Sequence, residues 1–286
     1  WQEFIGVVDE PKRVYPEKDL AAQLIGFVGS EGNGLEGIEK IYNSRLNIKP
    51  IKSEVMKDAR GRLVMVTPND ASKPDQKTPN LTLSIDLSIQ EFTQNALKDG
   101  VIKAKAKGGS AIVMDVKTGE ILSMASYPSY DLNNPPENDP ASRRLRPVMD
   151  AIELGSVVKP MWISKALDLR VITPETKIYA ENGQMSLPGG VIHDTHEHGW
   201  ITPEEILKVS SNIAAYKVVQ KIGRENFYDS LMKIGFGRQP GTGLPGEWSG
   251  RIKTLNTWRE MNFANMAFGQ GFAISPLQLL HQRHAF

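Results

Sequence analysis

Residues 67–80 (TPNDASKPDQKTPN) place three prolines among Thr, Asp, Asn, Ser and Lys with no apolar period, so neither a helix nor a central strand runs through them. No other feature constrains the fold as strongly. It divides the chain, and the domain boundary falls there, with residues 1–80 on one side and 81–286 on the other. A length of 286 residues agrees with two domains, at about 150 residues each. The sequence opens at Trp1 without a signal-peptide pattern and reads as a processed form or fragment, whose upstream part, any anchor included, lies outside it.

Upstream of the boundary, residues 24–29 (LIGFVG) read as a short strand, followed by a glycine-containing loop and a helix over 35–46. Residues 51–66 alternate enough to suggest a half-exposed hairpin. Downstream, 81–85 alternates like a strand, and 88–98 carries a helical apolar stripe of Ile89, Phe92, Ala96 and Leu97. Residues 110–116 and 120–125 read as two strands joined at a Lys117-Thr118-Gly119 turn. A long Pro/Asn-rich loop occupies 127–140, and helices are predicted over 157–169, 202–214 and 224–234, the last ending at Gly235. Thr202-Pro203-Glu204-Glu205 supplies a capping hydroxyl, a proline in the first turn and a Glu three residues after the cap, which together start a helix well. No repeat of roughly 20–50 residues recurs, which excludes a solenoid. Strands and helices cluster instead of alternating strictly, so the fold class is α+β.

Charges nearly cancel, with 34 Lys and Arg against 33 Asp and Glu, which argues against a nucleic-acid binder. The absence of cysteine excludes disulfide scaffolds, thiolate zinc sites and cysteine nucleophiles, and leaves the redox compartment open. No apolar run approaches the ~18 residues of a membrane span.

Four patterns compete for the chemistry. Gly32-Asn33-Gly34-Leu35-Glu36-Gly37 is a formal GxGxxG, but no second strand with an acidic end follows, so a glycine-rich turn is the better reading and no cofactor is expected. His193-Asp194-Thr195-His196-Glu197-His198 could converge on zinc, yet turn glycines flank it and a capped helix follows, which suits a polar loop; no metal is expected. Gly155-Ser156-Val157-Val158-Lys159-Pro160 sets a serine and a lysine one helical turn apart, on one face. In a dry pocket Lys159 could lose its proton and act as the base for Ser156 at the helix start. A bare SxxK is expected about once by chance in a chain of this length. Ser210-Ser211-Asn212 lies 54 residues after Ser156 and could relay a proton and hold a peptide carbonyl. In this order, SxxK and SxN are two of the three boxes of the penicillin-recognising enzymes.

The chain resembles the class B penicillin-binding proteins well beyond those boxes. Arg13-Val14-Tyr15-Pro16, Leu24-Ile25-Gly26 and Gly34-Leu35-Glu36-Gly37-Ile38-Glu39 are similar to the family's non-catalytic pedestal motifs. Leu83-Ser84-Ile85-Asp86, residues 115–125 and Tyr127-Pro128-Ser129-Tyr130-Asp131 are similar to the start of its transpeptidase domain. Phe268-Gly269-Gln270-Gly271 and Ser275-Pro276-Leu277-Gln278 are similar to segments that precede its third box. The resemblance runs over about residues 10–280. It implies an antiparallel sheet with helices on both faces, preceded by a partial β-rich pedestal over 1–80.

The resemblance further implies peptidoglycan D,D-transpeptidation. Ser156 would attack the carbonyl between the terminal D-alanines of a stem peptide, Lys159 would act as base, Ser210 would pass a proton to the leaving D-alanine, and Asn212 would hold the peptide amide. β-Lactams would acylate Ser156. The implied partners are a membrane glycan polymerase and cell-division proteins, at an inner membrane whose periplasmic face carries the catalytic domain, with the septal type favoured by Val157-Val158-Lys159-Pro160-Met161. The third box, Lys-Thr/Ser-Gly, is not found after SxN: Lys117-Thr118-Gly119 precedes Ser156, and Lys253-Thr254-Leu255 lacks the glycine. The sequence as given is therefore expected to acylate slowly or not at all. The alternatives are a serine β-lactamase or lactam sensor, and a non-catalytic scaffold of the cell-wall machinery.

Overall fold

In the computed structural model, residues 12–47, 54–57, 60, 63–67 and 80–281 are described. The proline-rich stretch thus lies, over 68–79, outside the described residues. Three short helices come first: α1 (Ala22–Ile25), α2 (Gly37–Ile41) and α3 (Asn43–Leu46). Of the strand expected over 24–29, Leu24 and Ile25 end a helical turn and Val28 makes an isolated antiparallel bridge to Gly34, and the helix expected over 35–46 is split at Tyr42. Glycine packing explains the first difference. Gly26 sits at φ 73 and Gly37 at φ 58, and a Cβ on Gly37 would lie 2.4 Å from the Leu24 carbonyl oxygen. The two bare backbones press together, and of the GxGxxG glycines Gly37 serves that contact while Gly34 lies against the Glu39 backbone.

The hairpin expected over 51–66 is present as β1 (Glu54–Lys57) paired antiparallel with β2 (Leu63–Thr67), Glu54 opposite Thr67. Residues 81–85 pair with no strand; Ser84 Oγ donates to the Ile121 carbonyl at 2.7 Å instead. Helix α4 (Leu87–Lys103) starts where Asp86 accepts from the Ile89 amide at 2.9 Å, and runs five residues beyond the expected end. Strands β3 (Gly109–Met114) and β4 (Ile121–Tyr127) form the expected antiparallel pair, closed by a turn in which Asp115 accepts from the Lys117 and Thr118 amides. Neighbouring β4 residues point to opposite faces. Ser123 donates to Gln90 of α4, whereas Met124 joins Leu145, Val148 and Leu277 in one apolar cluster. After α5 (Pro140–Arg143), helices thus cover both faces: α4 on one, and α6 (Arg146–Met149) and the last helix on the other.

The N-terminal segment does not stand apart. Ala21 and Leu24 belong to the same cluster as Met124, and Gln23 Nε2 donates to the carbonyls of Pro128 (2.9 Å) and Ser142 (2.6 Å).

The larger core lies in the C-terminal half. A short 3-10 turn (Gly155–Val158) runs into α7 (Lys159–Asp168). Two small hairpin ladders follow, β5 (Ile178–Tyr179) with β8 (Trp200–Ile201), and β6 (Gln184–Leu187) with β7 (Gly190–His193). Helices α8 (Pro203–Val209), α9 (Asn212–Ile222), α10 (Arg224–Lys233), α11 (Glu260–Ala267) and α12 (Pro276–His281) complete the chain. The single helix expected over 202–214 is broken at Ser210, which adopts φ 57. The Thr202–Glu205 capping box and the end of α10 before Gly235 stand as expected. α9 is buried on nearly all sides by Trp162, Phe227, Phe263 and their neighbours, each burial contributing roughly 1.5–3 kcal/mol. That packing makes α7 and α9 a rigid base for the residues they present.

Candidate active site

Ser156 stands exposed on the 3-10 turn, and Lys159 begins α7 one turn later with 1% of its surface exposed. Pro160 is tolerated because the first helical turn has no intrahelical partner for its missing amide. The turn is held from the other side by the 268–271 segment. Gly155 N donates to the Gly269 carbonyl at 3.0 Å, and a Cβ on Gly269 would lie 2.0 Å from the Gly155 oxygen. Glu153 accepts from the Gly271 amide at 3.0 Å.

Ser210 and Asn212 arrive from the break between α8 and α9. Ser210 takes the left-handed conformation that ends α8, a costly geometry for a residue with a Cβ. Ser211 then caps α9, accepting from the Ala214 amide at 3.0 Å, which leaves Asn212 in the first turn. The break directs Ser210 and Asn212 together toward Lys159.

Lys159 Nζ donates to the Ser210 carbonyl (2.6 Å), Ser210 Oγ (3.0 Å) and Asn212 Oδ1 (2.8 Å). An ammonium has three protons, and these three acceptors match them. Ser210 Oγ in turn donates to Ser156 Oγ at 2.8 Å. All four residues singled out from the sequence are thus in one network, in an order the sequence did not give. Among the described residues Lys159 makes no direct bond to Ser156, and Ser210 lies between them. Burial pushes the Lys159 amine down from 10.5 to about 8, while the Asp194 carboxylate pulls it back up. A lysine near 8 has a usable neutral fraction at physiological pH. Once neutral it offers a lone pair to Ser210, whose hydroxyl can rotate to pass on a proton taken from Ser156.

The HDTHEH loop holds the residue that sequence reasoning missed. Among the described residues no cluster of three or more potential metal ligands is present. Asp194 instead accepts from Ser211 Oγ (2.5 Å), the Asn212 amide (2.5 Å) and the Ile213 amide (3.1 Å), and Asn212 Nδ2 donates to the His193 carbonyl at 3.0 Å. An anion at the start of α9 suits the helix dipole, and it fixes the backbone from which Asn212 projects. No local signal marked it, because Asp194 caps a helix that begins many residues later. Lys117-Thr118-Gly119 is confirmed as the β3–β4 turn, with Gly119 at φ 82. Lys253-Thr254-Leu255 leads into a short 3-10 turn at Leu255–Thr257.

The family profile for the penicillin binding protein transpeptidase domain matches residues 109–286. The peptidoglycan D,D-transpeptidase FtsI of Buchnera aphidicola subsp. Baizongia pistaciae is 38% identical over 279 residues, covering 96% of this chain and 47% of that protein. FtsI of Escherichia coli K12 is 34% identical over 272 residues, covering 95% and 45%. Among solved structures, penicillin binding protein 3 of Mycobacterium tuberculosis in complex with ampicillin aligns with a TM-score of 0.77 at 28% identity, over 96% of this chain and 57% of that one. The transpeptidase domain of Burkholderia pseudomallei penicillin-binding protein 3 aligns at 0.63 with 36% identity, over 74% and 59%. The chain spans about half the length of the curated relatives it matches.

Proposed function

Because the chain belongs to the penicillin-binding-protein transpeptidase family, we propose that it carries the acylating centre of a peptidoglycan D,D-transpeptidase working in cell-wall synthesis at the division septum. The observation that carries this reading is the buried Lys159, with all three of its donors on Ser210 and Asn212 and Ser210 bonded onward to Ser156.

In the reaction, Ser156 Oγ attacks the carbonyl joining the two terminal D-alanines of a stem peptide. Its proton passes to Ser210 Oγ while the Ser210 proton passes to neutral Lys159. The tetrahedral intermediate collapses with cleavage of the C–N bond, and the same relay, run backwards, protonates the departing D-alanine amine. Asn212, tied to Lys159 through Oδ1 and to the His193 carbonyl through Nδ2, borders the cleft and orients the peptide. An amine of a second stem then attacks the acyl-serine ester, forming the cross-link and restoring Ser156. A β-lactam would follow the first half of this course and remain on the serine.

Residues 1–80 would belong to a non-catalytic pedestal and 81–286 to the catalytic domain. No helix among the described residues is long and apolar enough to cross a membrane. A membrane anchor with a periplasmic catalytic face, a membrane glycan polymerase and division proteins as partners belong to the proposal for the whole protein.

The test is acylation of the intact protein by a fluorescent penicillin, with the labelled peptide mapped by mass spectrometry. Label on Ser156 that persists, and is absent from Ser156→Ala, is the expected result. Label that is lost by rapid hydrolysis would indicate a β-lactamase, and no label on Ser156 would end the reading.

A further inference from the structure

A cleft of about 380 Å³ lies where α1 and α2 meet α5 and α6, a volume at the small end of those that hold small molecules. Leu35, Leu145, Met149 and Pro245 give it an apolar wall. Glu36 and Arg143 line it as well, with Arg143 Nη1 3.5 Å from Glu36 Oε1 and both side chains half-buried. The neighbouring Arg144 is committed elsewhere, to Asp150 and to the Met149 carbonyl at 2.8 Å.

The Glu36–Arg143 pair leaves most of its bonding capacity unused. A guanidinium carries five N–H donors, yet among the described residues Arg143 makes no hydrogen bond, and its Nε is buried without a partner. The Glu36 carboxylate likewise accepts none among the described residues. Burial pushes that carboxyl up from its usual value, against the downward pull of Arg143 and Lys40. Charges drawn out of water without hydrogen bonds are costly and uncommon. Both groups are nonetheless held in place. Asp139 starts α5 by accepting from the Ala141 and Ser142 amides at 3.1 and 3.2 Å. A Cβ on Gly26 would lie 1.9 Å from the Glu36 carbonyl oxygen, so that contact fixes the backbone of Glu36.

What the cleft can hold follows from these charges. A carboxylate suits the fork of Arg143, which it can engage through two parallel bonds. A simple anion, phosphate included, would leave Glu36 without a donor and lie against its negative charge. A molecule with an ammonium beside its carboxylate satisfies both side chains. In an α-amino acid one carbon bears both groups, a spacing suited to two side-chain charges 3.5 Å apart. We propose that the cleft binds a zwitterionic α-amino acid with an aliphatic side chain, its carboxylate on Arg143, its ammonium on Glu36 and its side chain on the Leu35–Met149 wall. Lys40, exposed at the rim, adds a second positive charge for the carboxylate end. Glu36 precedes the proline-rich stretch and Arg143 follows it, so the ligand bridges the two parts of the chain. The site stands independently of the chemistry at Ser156.

The probe is leucine, each enantiomer titrated separately into the isotope-labelled intact protein while the arginine Nε–H resonances, assigned by through-bond connectivities, are followed. Saturable movement of the Arg143 resonance is expected with at least one enantiomer. N-acetylleucine lacks the ammonium, leucinamide the carboxylate and glycine the side chain, and each should bind about tenfold more weakly or worse. Glu36→Gln should weaken the binding of leucine and leave that of N-acetylleucine unchanged. An unmoved Arg143 resonance with both enantiomers would overturn the site. So would leucinamide, N-acetylleucine, acetate or inorganic phosphate binding as tightly as leucine, or full leucine affinity in Glu36→Gln. The resonance is read on the unaltered chain, so a poorly folding variant leaves the test intact. Penicillin labelling of Ser156 on the same preparation fails or succeeds separately from leucine binding, which keeps the two readings apart.

Discussion

Asp194 joins the fold to the chemistry at a single side chain, which makes its replacement informative. In Asp194→Ala the amides of Asn212 and Ile213 and the Ser211 hydroxyl all lose a charged acceptor. Ser211 is 1% exposed and Ile213 fully buried, so water can reach these groups only in part. Bonds to a charged group are worth about 1.5–3 kcal/mol each, and partial rescue by water at the half-buried Asp194 position leaves a net cost of about 3 kcal/mol. For a chain of this size that is a fall in Tm of about 6–9 °C. The start of α9 would also shift, and an ångström of displacement at Asn212 costs about 10²-fold in acylation rate. Asp194→Asn keeps an oxygen for the two amides and removes the charge, so it isolates the electrostatic contribution. The carboxylate raises the Lys159 pKa against the lowering by burial. Without it the amine falls below about 8. The neutral amine is the base, so the acid limb of acylation against pH moves to lower pH even as the plateau drops. Stopped-flow acylation by a fluorescent penicillin between pH 5.5 and 9.5, with calorimetric melting of both variants, measures all three effects. A limb that moves to higher pH in Asp194→Asn, or a wild-type rate and Tm in Asp194→Ala, would refute the reasoning.

Ser210→Ala removes the only link between Lys159 and Ser156 among the described residues. Acylation should drop by about 10²–10⁴ with little change in Tm, and an unchanged rate would show that Lys159 acts on Ser156 directly. Lys159→Met should abolish acylation and alter how stability depends on pH. The folded amine titrates near 8 and the unfolded one near 10.5, so between those values the unfolded state binds more protons and stability rises with pH. The wild type should therefore gain about 3 kcal/mol relative to Lys159→Met from pH 8 to 10.5, and a flat or falling difference in paired denaturant titrations would contradict a buried amine. Gly269→Ala would drive a methyl to 2.0 Å from the Gly155 oxygen at a backbone φ of 81. It should displace the Ser156 turn and slow acylation more than tenfold, and a rate within twofold of wild type would show that the Gly155–Gly269 contact does not set the serine.

What the amino-acid sequence determined here is what short-range geometry controls. Ser156 and Lys159 share a face because residues three apart on a helical turn must. The Thr202–Glu205 box, the Gly235 stop and the Lys117–Gly119 turn follow from the φ and hydrogen-bonding habits of those few residues. The order of the SxxK and SxN boxes could likewise be read along the chain. Tertiary structure decided the rest. Residues 24–29 formed no strand, the helical turn ending at Ile25, because Gly26 and Gly37 meet backbone to backbone, a contact between segments that no local propensity encodes. The break at Ser210, the cap from Asp194 and the relay through Ser210 depend on elements far apart in the chain. So does the state of Lys159, because a lysine becomes a base only when packing removes its water. Spacing along a backbone is a covalent property, whereas desolvation and convergence exist only once the core has closed around α7 and α9.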